Sequence, residues 1–94
     1  RPRPALGARV ASAEAIARQR GVSLPRGAHV GKVTAGSRAA QAGLQEGDVI
    51  LSLGGTVVSG PADLERALGT LAQGQGVEIA WWRGGQEKRG WLVL

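Results

Sequence analysis

Ala42-Gly43-Leu44-Gln45-Glu46-Gly47-Asp48-Val49-Ile50 decides how this chain is read. Upstream, R-A-A-Q-A (38–42) is a very short helix with Ser37 as its N-cap, and Gly43 closes it. Leu44 and E-G-D (46–48) form a tight turn into V-I-L-S-L (49–53). That run is too short for a helix and rich in branched residues, so it is a buried strand. Gly54-Gly55 then signals a two-residue hairpin, with Thr56 to Val58 returning.

Working outward, Ala28 to Val33 reads as a strand, preceded by the loop V-S-L-P-R-G (22–27). Ala8 to Ala11 is a short strand. Ser12 caps a helix from Ala13 to Arg20, in which Ile16 and flanking alanines give a narrow apolar stripe, and Gly21 stops it. On the other side, Gly60-Pro61 opens a helix with proline at its first position. Asp63 and Glu65 complement its positive end. Leu64, Leu68 and Leu71 share one face, and Gly74 and Gly76 are expected to end it. In V-E-I-A-W-W-R (77–83), Val77, Ile79 and Trp81 take one face; Glu78, Ala80 and an outward Trp82 take the other. Gly84-Gly85 makes a second hairpin, and Gln86 to Leu94 is the last strand. The order implies an α+β domain: a small, partly closed antiparallel sheet or barrel capped by two main helices.

The 94 residues make one domain, 1–94, expected to be excised from a longer chain because no signal peptide or initial Met is present. No apolar run approaches the ~18 residues of a membrane span. The net charge of +5 is local. Arg1, Arg3, Arg9, Arg18, Arg20 and Arg26 face only Glu14, while the remainder balances six bases against six acids. This reads as a solvated basic face. Nucleic acid is not expected as a partner, because no aromatics interleave with these arginines; the tryptophans stand at 81, 82 and 91.

Catalysis is not expected of this domain by itself. A nucleophile needs a base within hydrogen-bond reach. His29 is the single histidine and sits on a strand, Ser37 is a helix cap, and the turn accounts for Glu46 and Asp48. There is no Cys and no metal-ligand spacing, so neither metal nor cofactor is expected.

Binding remains. In A-L-G-A-R-V (5–10), Gly7 sits at the entry to a strand, where a glycine packs nothing. A glycine turn there presents successive N–H groups as a nest for a carboxylate. The strand beyond it can accept an extended peptide, with the helix bearing Leu64 and Leu68 as the opposite wall.

These stretches resemble the PDZ domains attached to bacterial trypsin-like serine proteases of the HtrA (Deg) family. R-P-A-L-G-A (3–8) is similar to the family's carboxylate-binding loop, and 27–55 to its central block with A-G-L-x-x-G-D-V-I. A-D-L-E-R-A-L (62–68) is similar to its groove helix, and W-W-R-G-G-Q (81–86) to its late hairpin. The resemblance implies a circularly permuted, bacterial-type PDZ fold, whose first strand lines the groove and whose last strand completes the sheet. It implies that Leu6, Gly7 and Ala8 offer N–H groups to a peptide carboxylate. Ala8, Arg9 and Val10 then pair with the incoming strand. Leu6, Ala8 and Val10, with Leu64 and Leu68, form the pocket for the last side chain, and Ala5 and Pro61 complete the site.

The chain departs from the family pattern at three places. Ala5 and Ala8 are small where the family carries larger residues, so a wider or flatter pocket is expected. Arg38 replaces a helix proline. The groove helix carries no His at its start, so no Ser or Thr preference is expected near the ligand's end. The implied role is capture of peptide or unfolded-protein C-termini with an apolar last residue. Such capture recruits substrate to, or regulates, a protease domain in the same chain. The implied location is the cell envelope or periplasm, and the implied state is monomeric. Two alternatives are a PDZ domain of a site-2 or tail-specific envelope protease, and an interdomain contact module using Trp82.

Overall fold

The structure is a computed structural model that describes residues 6–94; Ala5, named above for the groove, lies outside them. The elements follow from caps and turns. β1 (Ala8–Ser12) runs into α1 (Ala13–Arg20), where Ser12 Oγ accepts the Ala15 N–H at 3.3 Å. Gly21 closes that helix at φ +66°. β2 (Ala28–Val33) leads to α2 (Arg38–Ala42), capped by Ser37 Oγ, which accepts from the Ala40 N–H at 3.2 Å. β3 (Val49–Leu53) and β4 (Thr56–Val57) are joined by Gly54 and Gly55 at φ +59° and +85°. β5 (Gly76–Arg83) and β6 (Gln86–Val93) are joined by Gly84 and Gly85 at +57° and +89°. Both turns need two consecutive positive φ values, hence the paired glycines.

All pairings are antiparallel, in the order β1-β2-β3-β5-β6, with β4 on β3. The sheet is not closed, and β1 and β6 form its edges. Gly31 has no partner in the β1–β2 register, which jumps between Arg9 and Val10. The core gathers Leu6, Val30, Ile50, Leu53, Leu64, Ile79, Trp81 and Leu92.

α3 (Pro61–Gly69) ends earlier than expected, five residues before Gly74. Thr70 explains this. Its hydroxyl donates to the Ala67 carbonyl at 2.7 Å and its N–H reaches the same oxygen at 3.2 Å, so the last turn closes there. Leu71 therefore packs on the core from beyond the helix. A second correction concerns the tryptophans. Trp82, expected outward, is half-buried, whereas Trp91 is 62% exposed.

The Gln45–Asp48 turn is held by an ion pair from a distant strand. Buried Asp48 accepts Arg83 Nε and Nη2, both at 2.7 Å, and the Gln45 N–H at 2.8 Å. Arg83 also donates to the Gly43 carbonyl at 2.8 Å and stacks over Trp81, 5.8 Å from the ring centroid. One guanidinium thus joins the end of α2, the turn and β5. The hydrogen bond to Asp48 raises the Arg83 pKa above its ordinary value.

Candidate functional site

Gly7 sits at φ +81°, and an added Cβ would overlap the Cβ of Ser37. Both facts demand glycine: the left-handed region strains an L side chain, and no room exists for one. The loop is pinned from behind. The Leu6 carbonyl accepts the Ala39 N–H and the Gly7 carbonyl accepts the Thr34 N–H, each at 2.9 Å.

Those two bonds orient what lies in front. None of the described peptides is cis, and in a trans peptide the carbonyl and the next N–H point in opposite directions. With their carbonyls drawn toward α2 and β2, the planes after Leu6 and Gly7 turn the N–H groups of Gly7 and Ala8 away. They face a groove of about 700 Å³ that Leu6, Gly7 and Ala8 line. The Gly7 N–H has no hydrogen-bond partner among the described residues. The Leu6 N–H belongs to the plane of Ala5, outside those residues.

β1 is a sheet edge, so its outer side is open. Thr34 bonding to Gly7 sets the phase of the β1–β2 ladder. Ala8 then presents its N–H and carbonyl outward, Arg9 turns inward to β2, and Val10 turns outward again. Across the groove stands α3, with Pro61, Leu64, Glu65 and Leu68 on the lining. Leu64 is buried in the core and Leu68 is half-buried.

The structure thus brings together Leu6, Gly7, Ala8, Arg9, Val10, Pro61, Leu64 and Leu68 around one groove. Sequence reading missed Lys32, Thr34 and Glu65, which also line it. Lys32 enters through the register, directly opposite Arg9. Glu65 was read only as a charge at the helix start.

The remaining polar candidates lie elsewhere. His29 is buried on β2, and desolvation, with the nearby Arg20 charge second, lowers its pKa. Ser37 is tied to its capping bond. No cluster of metal-ligating side chains occurs among the described residues, and no helix among them is long and apolar enough to cross a membrane.

An open antiparallel sheet whose edge strand faces a helix across a groove with an apolar helix wall defines a peptide-binding class of fold. The PDZ domain family matches residues 4–90, and the chain belongs to that family. It is 38% identical over 73 residues to a probable periplasmic serine endoprotease, DegP-like, of Rhizobium meliloti, covering 78% of this chain and 14% of that protein. It is 46% identical over 70 residues to the magnetosome formation protease MamE of Paramagnetospirillum magneticum, covering 73% and 9%. The chain therefore spans a small part of these relatives. Among solved structures, the HtrA-type protease AlgW with decapeptide superposes at a TM-score of 0.84 with 28% identity, over 97% of this chain and 28% of that one. The HtrA3 PDZ domain bound to a phage-derived ligand shares the fold at a TM-score of 0.78 with 19% identity, over 95% and 82%.

Proposed function

We propose that this PDZ domain captures the C-terminal or extended apolar segments of other polypeptides as an added strand on β1. The N–H groups of Gly7 and Ala8, with that of Leu6, receive the terminal carboxylate. Ala8 and Val10 supply the ladder bonds, and Arg9 stands between them. The last side chain enters the space between Leu6, Ala8 and Val10 and the α3 residues Pro61, Leu64 and Leu68. The carrying observation is the Gly7 N–H, turned toward the groove by the bonds behind it and without a hydrogen-bond partner among the described residues. A short ordered peptide gives micromolar affinity, roughly 7–8 kcal/mol.

The relatives support a setting. Periplasmic endoproteases and an HtrA-type protease carry sequence or structure like this one. The domain, a monomer when isolated, then delivers substrate to, or regulates, an HtrA-like serine protease domain of the same chain in the periplasm. Catalysis belongs to that domain.

Titration with a peptide ending in Val, beside the same peptide amidated, tests the reading. The free acid is expected to bind at least tenfold more tightly. Equal binding of both removes carboxylate capture. Binding of neither removes peptide capture and favours an interdomain contact, for which Trp91 is the exposed aromatic.

A further inference from the structure

Arg9 and Lys32 stand directly opposite one another in the β1–β2 ladder. Opposed residues of an antiparallel pair project from the same face, and like charges in that position are destabilising. Both side chains are exposed and both line the groove. Neither meets a carboxylate among the described residues. The β5–β6 face is built differently: there Arg89 is matched with Glu78 and Glu87 at 3.3 and 3.1 Å. Arg9 on the edge strand that an added chain would extend, and Lys32 beside it on β2, are two adjacent cations without a carboxylate partner among the described residues, and an anion in that chain would complete them.

The ladder fixes where it must lie. This step rests on the peptide reading proposed above. A carboxylate held at Gly7 and Ala8 makes the incoming strand run antiparallel to β1. Its last residue then lies beside Ala8, its penultimate residue beside Arg9, and the residue before that beside Val10. The penultimate side chain shares the face of Arg9 and extends the row Lys32–Arg9 by one strand spacing, ~4.8 Å. The last and third-from-last side chains turn the other way, toward α3, where Leu64, Leu68 and Glu65 stand. Basic and apolar walls are thus read by alternate residues of the same ligand.

We propose that the groove selects C-termini whose penultimate residue is Asp or Glu, with Arg9 and Lys32 as the specificity-determining side chains. The class of partner is therefore a polypeptide ending acidic-then-apolar.

The test uses three free-acid peptides of equal length, ending Ala-Glu-Val, Glu-Ala-Val and Ala-Ala-Val. The first two carry the same net charge, which separates positional readout from general attraction to a basic protein. At low salt the Ala-Glu-Val peptide is expected to bind about three- to tenfold more tightly than either other, the range of one or two exposed ion pairs. Raising the salt to ~0.5 M should shrink the ratio. In the Arg9→Gln/Lys32→Gln protein the ratio should approach one, and circular dichroism reports whether that protein is folded. Equal binding of Ala-Glu-Val and Glu-Ala-Val to the unsubstituted protein overturns the proposal while leaving peptide capture intact. A preference that survives in the folded double variant overturns the roles of Arg9 and Lys32. Failure of Ala-Ala-Val to bind better than its amide overturns carboxylate capture, and the register argued here falls with it.

Discussion

The Cβ that Gly7 lacks would fall on the Cβ of Ser37. One glycine thus sets two things at once: the left-handed turn that aims N–H groups into the groove, and the contact that lets the α2 cap lie against the loop. Gly7→Ala should destabilise the domain by about 1–3 kcal/mol, from backbone strain and a displaced cap. Urea unfolding measures this. Ser37→Gly removes the overlap but not the positive φ, so the double variant should recover only part of the loss. Full additivity would show that the two residues do not interact.

Asp48 is buried and Arg83 is its charged partner. Removing Arg83 leaves a buried carboxylate with one backbone N–H, from Gln45. Arg83→Leu should therefore cost about 2–4 kcal/mol, less than a fully buried pair because the guanidinium side is 30% exposed. Asp48→Asn/Arg83→Leu should be less destabilised than the sum of the single changes. Thermal unfolding of the four proteins closes the cycle.

Trp81 crosses β6 at Gly90. A Cβ on Gly90 would lie 2.7 Å from the Ala42 carbonyl oxygen and 2.8 Å from Trp81 Cη2. Backbone on one side and a packed ring on the other leave it nowhere to go. Gly90→Ala should cost about 1–3 kcal/mol and shift the tryptophan emission. An unchanged unfolding midpoint would contradict the packing described.

His29 supplies a pH dependence. Its folded pKa lies below the ordinary 6.5, chiefly through burial. Between the two values the unfolded chain binds more protons than the folded one, so stability rises with pH in that window. The contribution is complete above about pH 6.5 and is lost as pH falls through that value toward the folded pKa. Unfolding midpoints between pH 7.5 and 5 should fall on acidification, and His29→Gln should flatten the trend. An equally steep trend in the variant would assign it to other groups.

Much of this fold was legible because its signals are local. Ser12, Ser37, Gly21 and Gly43 mark helix ends within four residues, and the two Gly-Gly pairs each write a hairpin. Gly7 was legible as a constrained position, since a strand entry has little other use for glycine, and its φ of +81° shows the constraint. What escaped depends on distance. Arg83 reaches Asp48 across 35 residues, and nothing near either announces the pair. Lys32 joins the groove only through the β1–β2 register. The early end of α3 comes from a hydroxyl, Thr70, competing for the helix's own carbonyl. Alternation put Trp82 on an outer face, but it does not say which part of that face is covered; Trp91 carries the exposure instead.

Carboxylate capture, as proposed, falls to the Gly7 and Ala8 N–H groups. The most direct test follows their backbone amide resonances while a Val-terminated peptide is added as the free acid and then as the amide. Downfield shifts of the Gly7 and Ala8 amide protons are expected with the free acid and not with the amide, alongside changes at Val10 and Leu68. Binding that leaves both amides unmoved would contradict it.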